Sequence, residues 1–413
     1  MHTTLTEQRL IGLARTLTRL RADSPFYRQL IPAGDIGPAN APALLRQLPW
    51  LDPAGWAAVR EQLRTSTFDG IATGFTNGTS GVPKAFYSTE AERAALRAGR
   101  VADGRRRLQL VGFNHGAVVG LDLAGEGDFV PLLSMRYFDL AADLIANGSA
   151  DGSRVRVLAG TARQIKDLTL HMQQRFGDLA GFGLETLEVG REFLSPGWES
   201  RLREWWGAEI DTVYGFSELR MCNALKCRVC AHHHFPPSCV AEVVDPADPD
   251  RYVPLGGRGS LLVTALHPYV EFEPRIRYRP GDLVELAAQP CPKWGEPGFR
   301  PLGREEHCLA VGERGVFVTT ADCVAVLADL PQVAVSPRHL YPDADQRHYE
   351  AGSPRFKLVD DAAGPAVHVE LRFDPRVWPQ EARAVADLAR ASLPAELQVV
   401  LHGPGTLDDV TLV

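Results

Sequence analysis

Lysine is scarce in this chain of 413 residues, occurring only at Lys84, Lys166, Lys226, Lys293 and Lys357, so that arginine carries almost all the positive charge. Basic residues do not outnumber acidic ones either. The 44 Lys and Arg against 51 Asp and Glu leave a net charge of -7, and without a basic field no nucleic-acid partner is expected. No uncharged apolar run approaches the roughly 18 residues that a membrane helix needs. Met1 to Arg21 shows no signal-peptide core, because Glu7, Arg9, Arg15, Arg19 and Arg21 interrupt it, and the expected location is cytoplasmic, away from membranes. A Walker loop, with Gly-Lys followed directly by Ser or Thr, is missing as well. Gly125-Glu126-Gly127 lacks the third glycine of a dinucleotide fingerprint and reads as a turn.

What is present is ordinary globular composition, 45% apolar and 23% charged, in a chain long enough for two or three domains. Leu10, Leu13, Leu17 and Leu20 recur at helical spacing in an amphipathic N-terminal helix. Thr76-Asn77-Gly78-Thr79-Ser80-Gly81-Val82-Pro83-Lys84 combines glycines, hydroxyls and a lysine. Glycine permits close backbone approach, Thr79 and Ser80 can donate to phosphate oxygens, and Lys84 adds charge, which together describe an anion cradle. A helix is expected after it, over 89–107, in the order strand, glycine-rich loop, helix. From Leu108 onward short apolar runs, among them 108–113, 117–120, 155–159 and 185–189, alternate with helical segments over 140–145, 164–176 and 196–206. That alternation predicts an α/β fold with a mostly parallel sheet flanked by helices.

Thr212-Val213-Tyr214-Gly215-Phe216-Ser217-Glu218 brings an aromatic ring, a glycine, a hydroxyl and a carboxylate to the end of a strand, where open α/β sheets bind ligands. Glu218 can hold Mg²⁺ on nucleotide phosphates, and Tyr214 can face a planar ring. Next, Cys222, Cys227, Cys230 and Cys239 fall close together with His232, His233 and His234. The Cys-x2-Cys pinch lets two thiolates reach one tetrahedral ion. A structural zinc on Cys227, Cys230, His233 and Cys239 is expected, with His232 and His234 as alternatives for the imidazole. Tyr278-Arg279-Pro280-Gly281-Asp282 is a tight turn whose aspartate has the reach to accept from the two hydroxyls of a ribose. Gly303 to Glu306 is the expected hinge. It divides a large domain, residues 1–303 with a zinc insert at 222–239, from a small α+β domain, 304–413.

In this order the motifs resemble those of the adenylate-forming acyl-activating enzymes, and most nearly the phenylacetate-CoA ligase branch. Thr76 to Lys84 resembles the phosphate loop of that family. Gly190-Arg191-Glu192 is similar to its Gly-Gly-Glu segment, with Arg191 in place of the second glycine. Tyr214 to Glu218 resembles Tyr-Gly-x-Thr/Ser-Glu, and Tyr278 to Asp282 resembles Tyr-x-Thr-Gly-Asp with Pro280 in place of threonine. Gly303-Arg304 is similar to the hinge, and Ser24-Pro25-Phe26-Tyr27-Arg28 to an N-terminal segment of the branch.

The resemblance implies a large adenylation domain with parallel sheets and a small, mobile C-terminal α+β domain. It implies ATP, Mg²⁺ and CoA as well as zinc. Lys84, Glu218 and Arg304 become the catalytic set, with Glu218 on Mg²⁺. Thr76, Thr79, Ser80, Gly81, Gly190, Tyr214, Gly215, Ser217 and Asp282 become the nucleotide set, and Phe113, His115 and Phe216 candidate walls for an aromatic acid. The reaction implied is acyl-adenylate formation followed by transfer to CoA, in a protein that could be a homodimer. One departure stands out, since the lysine that this family carries near its C-terminus has no counterpart after Lys357. Transfer to an amine, carrier protein or reductase therefore stays open, as does a degenerate protein that binds nucleotide or acid without turnover.

Overall fold

A computed structural model of the chain describes residues 5–65, 71–75, 85–99, 104–112, 127–132, 134, 136–148, 151–219, 222–312, 316–336, 352–362 and 364–407. They group into two compact units. One comprises the described parts of Met1–Gly104 and Thr212–Pro301; the other comprises those of Arg105–Phe113, Glu126–Asp211 and Leu302–Val413. The sequence boundary at 303/304 lies close to the break between Pro301 and Leu302. The C-terminal segment nevertheless groups with the preceding α/β stretch instead of standing alone.

The first unit opens with four helices, α1 (Glu7–Asp23), α2 (Pro25–Leu30), α3 (Ala41–Gln47) and α4 (Pro53–Leu63). In α1 the leucine stripe is buried, with Leu13 and Leu17 at 0% exposure, as an amphipathic face requires. Asp52 begins α4 by accepting from Gly55 N at 2.6 Å, beside a proline whose missing N–H costs nothing in the first turn. β1 (Ile71–Phe75) and β2 (Ala85–Thr89) pair antiparallel with Phe75 opposite Ala85, and α5 (Glu90–Gly99) follows. The expected order of strand, loop and helix is therefore corrected to strand, loop, strand and then a shorter helix. Glu92 fixes the start of α5. Its buried carboxylate accepts from Thr89 N at 2.7 Å and Phe272 N at 2.9 Å, satisfying donors that burial would otherwise strand.

The second unit holds the parallel sheet that the alternation predicts. β3 (Arg107–Gly112), β4 (Gly127–Leu132), β5 (Val157–Thr161) and β6 (Thr186–Gly190) run in the order β6-β5-β3-β4, all parallel. Helices α6 (Arg136–Asn147), α7 (Ala162–Phe176) and α8 (Pro196–Trp206) accompany them, and one core gathers Leu108, Leu158, Leu187 and Phe138 at 0% exposure. β5 runs two residues later than the apolar run 155–159 and ends on Thr161, the N-cap of α7, while β6 runs one residue later than 185–189 and Ser195 beyond it caps α8.

β7 (Glu209–Tyr214) leads back into the first unit, where β8 (Ala224–Lys226), β9 (His233–His234), β10 (Cys239–Val244), β11 (Arg258–Ala265), β12 (Asp282–Leu286) and β13 (Phe299–Arg304) follow in chain order. Their spatial order is β10-β11-β12-β13-β9-β8-β7. The pairings resolved there, β7 with β8, β8 with β9, β9 with β13, β10 with β11 and β11 with β12, are antiparallel. The parallel pairings described in this sheet are those among β3 to β6.

The C-terminal segment contains β14 (Leu309–Val311), β15 (Val316–Val318), α9 (Thr320–Leu327), β16 (Phe356–Asp361), β17 (Gly364–Glu370), α10 (Pro379–Ser392) and β18 (Gln398–His402), the α+β pattern expected of it. At its start Gly303 has φ +126°, and a Cβ there would lie 2.7 Å from Thr320 Cβ, so only glycine fits. Just after α9 the segment docks on α8, where Asp329 accepts from Gly197 N at 3.1 Å and pairs with Arg201 at 2.6 Å. Among the described residues no helix is long and apolar enough to cross a membrane.

Candidate functional site

Two groupings of chemically able side chains lie in the first unit. The earlier in the chain is at the end of β7. Gly215 follows the strand, and a Cβ on it would meet Asn223 Oδ1 at 2.1 Å, so the turn to the short 3₁₀ helix Ser217–Leu219 closes only over a bare α-carbon. That turn delivers Glu218 beside Tyr278, whose hydroxyl donates to Glu218 Oε1 at 3.2 Å. Asp282 opens β12, and Tyr214 donates its hydroxyl to Asp282 Oδ2 at 2.6 Å. The two expected carboxylates are thus each oriented by a tyrosine, and each tyrosine comes from the motif that supplies the other carboxylate. This cross-link between motifs was not legible from spacing. Both carboxylates are half-buried.

The tyrosine rings are packed. Tyr214 makes edge contacts with Phe299 at 5.4 Å, Phe235 at 6.2 Å and Phe216 at 6.3 Å between centroids. Its hydroxyl end, more than its ring, is placed for chemistry. Phe216 stacks on Tyr278 at 5.9 Å and packs against two cores of the unit.

Gly190 and Arg304 belong to the second unit. Gly190 ends β6 opposite Thr161, and just beyond it Glu192 accepts from Arg163 N at 2.7 Å in the first turn of α7. Between them Arg191 has φ 72°, the left-handed region that glycine occupies without strain. Arg304 ends β13, with its carbonyl accepting from Cys308 Sγ at 3.2 Å. Thr76, Thr79, Ser80, Gly81, Lys84, Phe113 and His115 lie outside the described residues, as does the side chain of Ser217.

The second grouping corrects the expected ligand set. Cys227, Cys230, His234 and Cys291 come together, with one donor atom from each within 4.8 Å of the others. His233 and Cys239 do not join them. Adjacent residues of a strand point to opposite faces, so in β9 only one of His233 and His234 can reach the thiols. His234 does, with Nε2 at 3.1 Å from Cys230 Sγ. His233 turns the other way, placing Nε2 3.1 Å from Thr212 Oγ1. Cys239 is fully buried at the start of β10 beside Ser238 and Cys222. Cys291 is far along the chain; the signal for it is the tight turn Cys291-Pro292-Lys293-Trp294-Gly295, in which Gly295 N donates to Cys291 O at 2.7 Å.

Geometry and electrostatics of this cluster suit a metal. A tetrahedral ion with metal–sulfur bonds of about 2.3 Å separates its sulfurs by about 3.8 Å, and Cys227 Sγ lies 3.8 Å from Cys291 Sγ. Burial, with the charges of Arg9, His232 and Lys293, lowers the His234 imidazole to about 4, keeping it in the neutral form that a ligand needs. Trp294 stacks on the ring at 5.2 Å and 7°. A Cβ at Gly298 would come within 2.6 Å of His234 Nε2, 2.7 Å of His232 Cβ and 2.9 Å of His233 O, so the chain passes β9 here only with a bare α-carbon. Around it, Arg9 of α1 is buried. It pairs with Glu296 and donates to Phe235 O at 2.6 Å, tying the first helix to the turn that carries Cys291.

No protein-family profile and no curated protein sequence matches this chain. Solved structures do. An open conformation of 2-hydroxyisobutyryl-CoA ligase in complex with 2-HIB-AMP and CoA superposes with a TM-score of 0.66 at 16% identity, covering 97% of this chain and 88% of that one. ATP-bound MatB from Rhodopseudomonas palustris matches with a TM-score of 0.55 at 17% identity over 80% of this chain and 64% of its own. The anthranilate CoA ligase AuaEII in complex with anthranoyl-AMP matches with a TM-score of 0.54 at 15% identity, over 83% and 65%. The chain therefore shares its fold with these three solved acyl-CoA ligases.

Proposed function

We propose that the protein activates an aromatic carboxylic acid with ATP, forming an acyl adenylate and pyrophosphate, and then transfers the acyl group to the thiol of CoA. The observation that carries this reading is the pair of crossed hydrogen bonds, Tyr278 to Glu218 and Tyr214 to Asp282. These hold the two carboxylates of the nucleotide motifs in one unit of a fold shared with ligases solved on acyl adenylates. The aromatic substrate rests on the resemblance to the phenylacetate-CoA ligase branch, and AuaEII shows that the fold accommodates an anthranoyl group.

Attack of a carboxylate on the α-phosphate accumulates negative charge, so the demand on the protein is positioning and electrostatics. Bound Mg²⁺ supplies charge neutralisation at the phosphates. Glu218 offers it the hard carboxylate oxygens it prefers, oriented by the Tyr278 hydroxyl. Asp282 accepts from the ribose hydroxyls, with Tyr214 fixing its plane. Thr76, Thr79, Ser80, Gly81 and Lys84 hold the departing pyrophosphate, Arg304 reaches the nucleotide from the hinge, and Gly190, Gly215 and Ser217 complete its cradle. Phe113, His115 and Phe216 flank the acid. Rotation of the segment after Gly303 between half-reactions excludes water from the mixed anhydride.

Zinc is the proposed occupant of Cys227, Cys230, His234 and Cys291. Three thiolates and an imidazole suit it, and they fill a tetrahedron, which gives the ion a structural role. ATP–pyrophosphate exchange over a panel of benzoic, phenylacetic, cinnamic and amino- or hydroxy-substituted aryl acids tests the reading. Exchange with one acid, and AMP release that then depends on CoA, is the expected result. Exchange without CoA-dependent release would move the second step to another acceptor, and no exchange with any acid would overturn the aryl activation.

A further inference from the structure

A cavity of about 690 Å³ whose lining includes neither Glu218 nor Asp282 opens in the first unit, within the size range of small-molecule sites. Its walls come from three parts of the chain that the fold brings together. Leu30 ends α2, Arg46 and Trp50 lie at and just after the end of α3, and Asp250 and Tyr252 sit on the connection between β10 and β11. Arg277 forms the floor at 2% exposure.

The floor is built, not incidental. Arg277 has φ 45°, a strained conformation for an arginine, and its guanidinium holds the wall by donating to Leu48 O at 2.9 Å and Arg46 O at 3.2 Å. Its charge is answered from below by Glu242, 3.5 Å away, and more weakly by Asp250 at the rim, 3.8 Å away and 84% exposed. Backbone hydrogen bonds make the wall rigid, with Leu51 N donating to Arg277 O at 3.3 Å and Arg279 N to Leu51 O at 2.9 Å.

Arg46 is different. Among the described residues no carboxylate pairs with its guanidinium, which lies 5.5 Å over the Tyr252 ring. Trp50 is backed by Arg279 at 5.2 Å. The cavity therefore presents two aromatic surfaces, an aliphatic edge at Leu30 and, at its open side, an exposed arginine that makes no ion pair among the described residues, its charge felt by the buried Glu242 that mainly answers Arg277. An aromatic ring prefers stacked or edge contacts with Trp and Tyr, while a planar carboxylate matches the fork of an arginine. The geometry points to a binding site for a small planar aromatic monoanion, separate from the carboxylate-bearing site and not assigned by the ligase reading.

Calorimetric titration of the full chain with benzoate, benzamide and AMP tests this by binding alone, so the result stands whether or not aryl activation is observed. Saturable benzoate binding at millimolar concentrations is expected. Arg46→Ala should weaken one binding component by about tenfold, the loss of one charge-assisted contact, and Trp50→Leu should weaken the same component. Glu218→Gln should leave it unchanged. Arg46 and Trp50 are not core residues, and melting curves of both variants verify that they are folded. The site is overturned if benzoate does not saturate, if neither substitution changes its affinity, if benzamide binds as well as benzoate, or if AMP displaces benzoate from the component that Arg46→Ala weakens.

Discussion

The thiol cluster and the paired carboxylates occupy the same unit but are held in different ways. Cys227, Cys230 and Cys291 sit on tight turns whose own backbone hydrogen bonds fix them, and only His234 comes from a strand. Glu218 and Asp282 instead depend on side chains distant in sequence, each carboxylate waiting on a tyrosine about 60 or more positions away. Each thiol is held by its own turn, although Cys291 reaches Cys227 from 64 positions away, whereas a carboxylate oriented by one distant hydroxyl loses that orientation when the partner is shortened. The sharpest way to break this comparison is to remove the ion. Cys230→Ser with Cys291→Ser should abolish bound zinc by elemental analysis and lower the urea midpoint, while Cys239→Ser should keep full zinc content. The loss should amount to several kcal/mol, part of the roughly 10 to 16 kcal/mol of an isolated zinc unit, since this domain has its own core. Chelation should also loosen α1 through Arg9 and Glu296, read as faster amide exchange around Leu13. Zinc retained in the double variant would sink the assignment.

A smaller effect is expected at the carboxylates. Glu218→Gln keeps the shape while removing the charge that the proposed reaction assigns to Mg²⁺ binding. Exchange of pyrophosphate into ATP should fall about 100-fold, the size of one lost electrostatic contact in a transition state, with the urea midpoint unchanged. A fall in stability without a fall in exchange would make Glu218 structural. Below that come the tyrosines. Tyr278→Phe and Tyr214→Phe each remove one hydrogen bond to a carboxylate, worth about 1.5 to 3 kcal/mol, and each should slow exchange by about tenfold. If the two motifs act as one unit, the double variant will fall short of the product of the singles, and full additivity would show two independent supports.

How much of this was legible in the sequence follows from the same contrast. Helical periodicity found α1 because Leu13, Leu17 and Leu20 bury one stripe, and apolar runs found β5 and β6. The antiparallel half of the first unit was missed because hydrophobic runs carry strand identity but not direction. At the cluster, Cys227 and Cys230 were readable from their spacing. Choosing between His233 and His234 required the strand's alternation, and Cys291 required tertiary structure. The motif carboxylates were all readable as motifs, but the edge contacts of the Tyr214 ring with Phe216, Phe235 and Phe299 were not. Burial of a ring depends on neighbours that a single sequence does not order in space.

The smallest expected effect belongs to the second unit, at the one position where the sequence replaces a motif glycine. Arg191 sits at φ 72° between Gly190 and Glu192, and a left-handed conformation costs a residue with a Cβ roughly 1 to 2 kcal/mol. Glycine removes that strain but loses more backbone freedom on folding, which offsets about half of the gain. Arg191→Gly should therefore raise the urea midpoint by an amount equivalent to about 0.5 to 1 kcal/mol, with an unchanged slope. Glu192, which holds Arg163 N at 2.7 Å, keeps its place in either variant because the backbone already follows the glycine path. A rise with unaltered pyrophosphate exchange would mean that the arginine is tolerated strain. A rise accompanied by weaker ATP binding would mean that the strain holds a side chain the nucleotide uses, and a fall in stability would show that the Arg191 side chain makes contacts worth more than its backbone strain.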